Sequence, residues 1–158
     1  MLKYTVAAIF VVVAAAAVYV VTACPCERMP GLWLTGETVT TPVEDWSFAN
    51  EAPLCQVEVR TWRPHSINLN CMSTGPELFI SCSNCAGKSW SNTALTHPLG
   101  KIRIDGRLYP VRLDRVLDPD KLDLAWRTRA MKLQRDAVPR PDHWWSFQLT
   151  SQEKSGSE

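Results

Sequence analysis

Charge is missing from the start of this chain: between Tyr4 and Cys26 there is no Asp, Glu, Lys, Arg or His. A surplus of one sign is missing from the remainder, where 17 basic and 16 acidic residues intermix to a formal net charge of +1. That balance excludes the positive stripe on which a nucleic-acid partner would dock, so none is expected. No glycine-rich phosphate loop occurs, and no serine, histidine and carboxylate fall at nucleophile-elbow spacing. The three histidines, His65, His97 and His143, are scattered and each adjoins proline or tryptophan, which argues against a metal-ligand cluster. These absences do not exclude an enzyme, since a bound cofactor can carry its own chemistry and ask the protein mainly for binding and orientation.

What is present begins with that uncharged run. A helix rising 1.5 Å per residue needs about 20 residues to cross a hydrocarbon core of about 30 Å, and the run is long enough. Its end, Val21-Thr22-Ala23-Cys24, resembles the bacterial lipoprotein signal, in which the cysteine is acylated and becomes the new first residue. Cys24 is the residue that this resemblance implies is lipidated, with Met1-Leu2-Lys3 as the positive start. The alternative is an uncleaved signal anchor. Either way residues 1–26 form the leader or anchor, and the remainder is expected to face the periplasm or the cell exterior.

About 130 residues then remain, enough for one domain with a single core. Residues 27–53 carry Pro30-Gly31, Gly36, Pro42 and Pro53 and read as a linker grading into an edge strand, with β-branched residues between Glu37 and Thr41 and with Trp46 and Phe48 alternating around Ser47. Period-two alternation dominates residues 54–150. Cys55, Val57 and Val59 oppose Gln56, Glu58 and Arg60 within a strand from Leu54 to Trp62. Ile67, Leu69 and Cys71 alternate with Asn68 and Asn70, and the turn Ser73-Thr74-Gly75-Pro76 joins that strand to Glu77–Cys82 as a hairpin. Asp105-Gly106 joins Lys101–Ile104 to Arg107–Val116, with Pro110 marking an edge or a bulge. Trp145 to Thr150 supplies a last strand. One helix runs from about Lys88 to Thr96 and ends at His97-Pro98. Another starts with Asp118 as cap and Pro119 at its first position, placing Leu122, Trp126 and Leu133 on one face. Residues 151–158 read as a disordered tail.

Six cysteines, at positions 24, 26, 55, 71, 82 and 85, leave pairing open. Cys82-Ser-Asn-Cys85 could be a redox dithiol, half of a zinc site, a structural disulfide or two free thiols. Neither a βαβ unit nor a second suitable pair supports the first two. Cys71 and Cys82 lie on adjacent expected strands and could bridge instead.

The order of parts from Pro64-His-Ser-Ile-Asn-Leu-Asn-Cys-Met, through Glu77-Leu-Phe-Ile-Ser-Cys-Ser and Gly87-Lys-Ser-Trp-Ser-Asn-Thr-Ala-Leu-Thr-His-Pro, to the Lys101–Val116 hairpin resembles the flavin-binding split-barrel family. That family includes pyridoxamine 5′-phosphate oxidases and deazaflavin-dependent nitroreductases. The resemblance implies a mainly β fold: a six- to seven-stranded antiparallel split barrel with two inserted helices, preceded here by an N-terminal hydrophobic helix. It further implies FMN or a deazaflavin as cofactor, a homodimer, and an oxidoreductase acting on a small-molecule acceptor. Lys88 matches the family's basic phosphate position. Ser81 and Ser83 match the end of the preceding strand, and His65, Ser66 and Asn68 the strand across from it. Trp90 would lie against the flavin ring or plug the core. Asn68 and Asn70 replace a basic pair, which weakens the grip on a phosphate. The competing reading is a non-catalytic envelope binding module with a degenerate cofactor site, in which Trp144-Trp145 contribute to a partner surface.

Overall fold

The computed structural model describes residues 2–22, 30–59, 65–136 and 138–152. Leu2–Thr22 form helix α1, whose side chains from Tyr4 to Tyr19 are all exposed. Among the described residues no helix is long and apolar enough to cross a membrane. Cys24, the expected lipidation site, lies outside the described residues, as do Cys26, Trp62 and the tail from Glu153 onward.

The strands are β1 (Glu37–Thr38), β2 (Cys55–Val59), β3 (His65–Leu69), β4 (Cys71–Ser73), β5 (Leu78–Ser83), β6 (Leu99–Ile104), β7 (Arg107–Arg115) and β8 (Trp144–Ser151). Helix α2 (Ser89–Thr96) lies between β5 and β6, and α3 (Pro119–Lys132) between β7 and β8. The sheet order is β3-β2-β6-β7-β8-β5-β4, antiparallel throughout, with β1 added in parallel to β7. Its two ends, β3 and β4, are consecutive in sequence and separated only by Asn70. One broken strand therefore links both edges and curls the sheet towards closure.

That break corrects the expected hairpin. The run Ile67–Cys71 is not one strand pairing with Glu77–Cys82. Residues 65–69 pair with β2 in the register Cys55↔Leu69, and only from Cys71 does the chain pair with β5, as Cys71↔Ile80. The Asp105-Gly106 hairpin forms as read. Its turn residues have φ of 47° and 81°, the left-handed pair that a two-residue hairpin with matching twist requires. Pro110 lies inside an interior strand rather than at an edge. Its carbonyl accepts the Gln152 N–H at 2.9 Å, so its missing donor points to the same side, between the end of β1 pairing at Leu108 and the start of β8 pairing at Val111.

Inward residues alternate along every strand and form one core that includes Val57, Leu78, Ile80, Ile102, Leu113, Phe147 and Leu149. At one end α2 inserts Trp90 and Ala94, with Trp90 5.4 Å from Phe147 between ring centroids. An eight-residue helix is marginal alone, so this burial holds it. Near the opposite end lies Trp46, only 1% exposed and edge-on to Tyr109 at 5.4 Å. Trp46 and Phe48 do not extend an edge strand. Ser47–Asn50 is a 3-10 helix, entered where Asp45 Oδ1 accepts from the Ser47 N–H and hydroxyl. The stretch read as linker thus contributes Leu34, Trp46, Ala49 and Ala52 to the buried interior.

Helix α3 covers the outer face of β8, β5 and β4. Asp118 caps it by accepting from the Lys121 N–H at 2.8 Å, with Pro119 in the first turn. Leu122 and Trp126 pack on Met72, Phe79, Val116 and Trp144, whereas Leu133 falls at the C-cap, past the face assigned to it. At the helix end Lys132 Nζ donates to the Ala49 and Cys71 carbonyls at 2.7 and 2.6 Å, and burial pushes its pKa down. A strap, residues 30–36, crosses the outer face of β3, β2 and β6. Gly31 exchanges both backbone hydrogen bonds with Ser66, the Leu34 N–H donates to Glu58 Oε2 at 2.7 Å, and Arg103 Nη1 donates to the Thr35 carbonyl.

Candidate functional site

β3 and β5 lie beside one another without a ladder between them. Continued past Asn70, the β4–β5 register would set Ser81 level with Asn70 and Ser83 level with Asn68. Successive side chains on a strand point to opposite faces, and Ile67, Leu69, Ile80 and Cys82 all face the core. Ser66 and Asn68 on β3, and Ser81 and Ser83 on β5, therefore share the outward face and flank the seam. The seam ends at the turn into α2, where Lys88 is exposed and precedes the first helical residue. Beside it, a Cβ built on Gly87 would meet nothing within 4 Å.

Three of the seven expected residues stand apart from this arrangement. His65 alternates with Ser66 and so points to the opposite face, where burial lowers its pKa. Trp90 takes the core-plug role and is 4% exposed. Ser66 faces outward, and Gly31 bridges to its backbone along the edge of β3. Its residue is wholly buried and its hydroxyl has no hydrogen-bond partner. Ser81 is 5% exposed, and Ser83 and Lys88 are open to solvent. An exposed ammonium beside a hydroxyl can take up an anion, and the neutral groups along the seam can accept or donate to whatever extends from it. No described grouping of three or more His, Cys, Asp or Glu could hold a metal ion.

The cysteines pair as Cys55–Cys71 and Cys82–Cys85, with Cα separations of 5.7 and 5.6 Å. Cys71 and Cys82 do not bridge, because the register places Ile80, not Cys82, opposite Cys71. The proposed Trp144-Trp145 surface is also corrected. Trp144 is 3% exposed beneath α3, 5.1 Å edge-on to Trp126, and half-buried Trp145 lies under the Arg115 guanidinium at 3.6 Å.

Sequence reasoning missed Glu58, which alternation assigns to a solvated face. The strap and Lys101, at 4.0 Å, enclose it to 1% exposure. Only Leu34, an apolar residue within a proline- and glycine-rich stretch, hinted that the segment was packed.

Comparison with solved structures fits this geometry. The fold is the split barrel. A protein of Listeria innocua described as a "Putative Pyridoxamine 5'-phosphate oxidase" superposes with a TM-score of 0.55 at 8% identity, covering 66% of this chain and 88% of that one. A "putative 5-nitroimidazole antibiotic resistance protein" of Bacteroides thetaiotaomicron gives 0.55 at 11% identity, covering 77% and 87%. A conserved hypothetical protein of Mycobacterium tuberculosis gives 0.51 at 11%, covering 66% and 76%. No protein-family model matches the chain, and no curated protein sequence does. At these identities the likeness is one of fold.

Proposed function

We propose that this protein is a membrane-tethered split barrel that binds FMN or a deazaflavin along the β3–β5 seam and serves as an oxidoreductase for a small acceptor. The observation that carries the reading is the outward row Asn68, Ser81 and Ser83, ending at exposed Lys88. Lys88 and Ser83 hold the phosphate, Asn68 and Ser81 border the polar chain, and Trp90 supports the turn from within. When bound, the flavin supplies hydride transfer, and the protein orients it. A half-site this open is completed by a second copy of the chain. The tether is α1, whose apolar residues, Val6, Ile9, Phe10 and Val11 among them, are exposed and form a surface suited to lipid. In this reading the domain faces the periplasm or the cell exterior.

The test is FMN titration of the purified protein, followed by flavin absorbance and fluorescence. Lys88→Ala is expected to weaken binding about tenfold or more, the equivalent of one charge-assisted hydrogen bond of about 1.5–3 kcal/mol. A colourless protein that takes up neither FMN nor a deazaflavin ends the proposal. A second reading is then favoured by the complete burial of Ser66, whose strand edge is taken by Gly31, and by Asn68 and Asn70 in place of cations: a binding module whose cofactor site has degenerated.

A further inference from the structure

The Cys82–Cys85 bridge is used by nothing described so far, and its surroundings differ from those of Cys55–Cys71. Both cysteines of the latter are 0% exposed, deep in the core, and sixteen residues apart. Cys82 ends the inward row of β5, retains 7% exposure, and is three residues from the wholly buried Cys85. Ser83, Asn84 and the four residues from Ala86 to Ser89 are exposed around it. Asn84, at φ 55°, turns the chain back so that the two sulfurs meet.

The loop does not depend on the sulfur bond for its shape. Ser91 Oγ donates to the Cys85 carbonyl at 2.5 Å and sits 3.0 Å from the Lys88 carbonyl, the Lys88 N–H donates to the Cys85 carbonyl at 2.9 Å, and Asn92 Nδ2 donates to the Ala86 carbonyl at 3.0 Å. A reduced Cys85 already has a partner for its proton, since its Sγ lies 3.2 Å from the Cys82 carbonyl oxygen. Both redox states thus fit one backbone. Elements bordering Cys82 carry cationic side chains. Trp145 is paired with Cys82 across the ladder and carries the Arg115 guanidinium on its ring, with the Arg115 Nε buried and unpartnered, while Lys88 follows at the turn. Nearby positive charge favours the thiolate form on which exchange depends.

We propose that Cys82–Cys85 is a thiol–disulfide exchange site that takes an external dithiol as co-substrate, entered through Cys82 with Cys85 as the leaving thiolate. A thiolate of the dithiol attacks Cys82 Sγ. The Cys82–Cys85 bond breaks, its electron pair leaves on Cys85 Sγ, and that sulfur takes up a proton. The dithiol's second sulfur, as thiolate, then attacks its own partner in the mixed disulfide, and Cys82 departs as a thiolate and is protonated. Two electrons and two protons pass to the protein, and the dithiol becomes a disulfide.

The test uses the full chain without denaturant, equilibrated in mixtures of reduced and oxidised dithiothreitol, alkylated, and mapped by peptide mass so that each cysteine is read separately. The expected result is reversible opening of Cys82–Cys85 in a folded protein whose Cys55–Cys71 stays closed. A second measurement follows alkylation of the free thiol in two variants: Cys82 in Cys85→Ser is expected to react at least tenfold faster than Cys85 in Cys82→Ser. If the 82–85 bridge opens only together with 55–71 as the protein unfolds, or if the two free thiols react equally fast, the exchange site is refuted. The wild-type redox titration decides the matter even where a variant does not fold.

Discussion

Replacing Cys55 and Cys71 together by alanine tests how the barrel is closed. The bridge joins the first residue of β2 to the first residue of β4, just past the break at Asn70 that lets one strand serve both edges of the sheet. In the chain-entropy picture a cross-link stabilises by shrinking the unfolded ensemble, with a term that grows as 1.5 RT times the logarithm of loop length. A separation of 16 gives about 3 kcal/mol, and against the separation of 3 at Cys82–Cys85 the advantage is about 1.5 kcal/mol. The assay is urea unfolding of wild type, Cys55→Ala/Cys71→Ala and Cys82→Ala/Cys85→Ala under non-reducing conditions. Midpoints should fall from wild type through the 82–85 variant to the 55–71 variant, which is lowest. Hydrogen exchange in the 55–71 variant should rise first in β4, whose short ladder is the weaker half of the broken strand. Equal losses for the two variants, or the larger loss at 82–85, would mean that loop closure is not what the 55–71 bridge contributes.

Two further outcomes follow from buried polar groups outside the seam. Glu58→Ala strips the Leu34 N–H of its acceptor in a buried site and should cost about 2 kcal/mol and open residues 30–36 to protease, whereas Glu58→Gln keeps the acceptor and should cost under about 1 kcal/mol; equal losses would shift the weight to the charge shared with Lys101. Burial lowers the His65 pKa in the folded state, so between that value and the unfolded value near 6.5 the unfolded chain binds more protons and stability falls as pH falls. The urea midpoint should therefore drop between pH 7 and pH 5 more steeply in wild type than in His65→Gln, and parallel profiles would refute the assignment.

What the sequence determined by itself was whatever short-range chemistry decides. Asp118-Pro119 announces a helix start because cap and ring act within one turn, Asp105-Gly106 announces a hairpin because its backbone tolerates positive φ, and alternation in β2, β5 and β8 sorts the barrel-facing row from the opposite row because a strand's period is two. The seam was partly legible too, since Asn68, Ser81 and Ser83 fall on outward positions whatever their neighbours are. Tertiary structure alone decided which strand lay beside which. The split at Asn70 exists because β2 and β5 compete for one continuous run, and that competition settled the partner of Cys71. Burial of Glu58 and Ser66 required a strap distant in sequence, and Trp46 joined the core because the far end of the barrel needed filling. Those choices rest on contacts between segments distant in sequence, where many pairings satisfy the same local pattern and only the closed sheet selects among them.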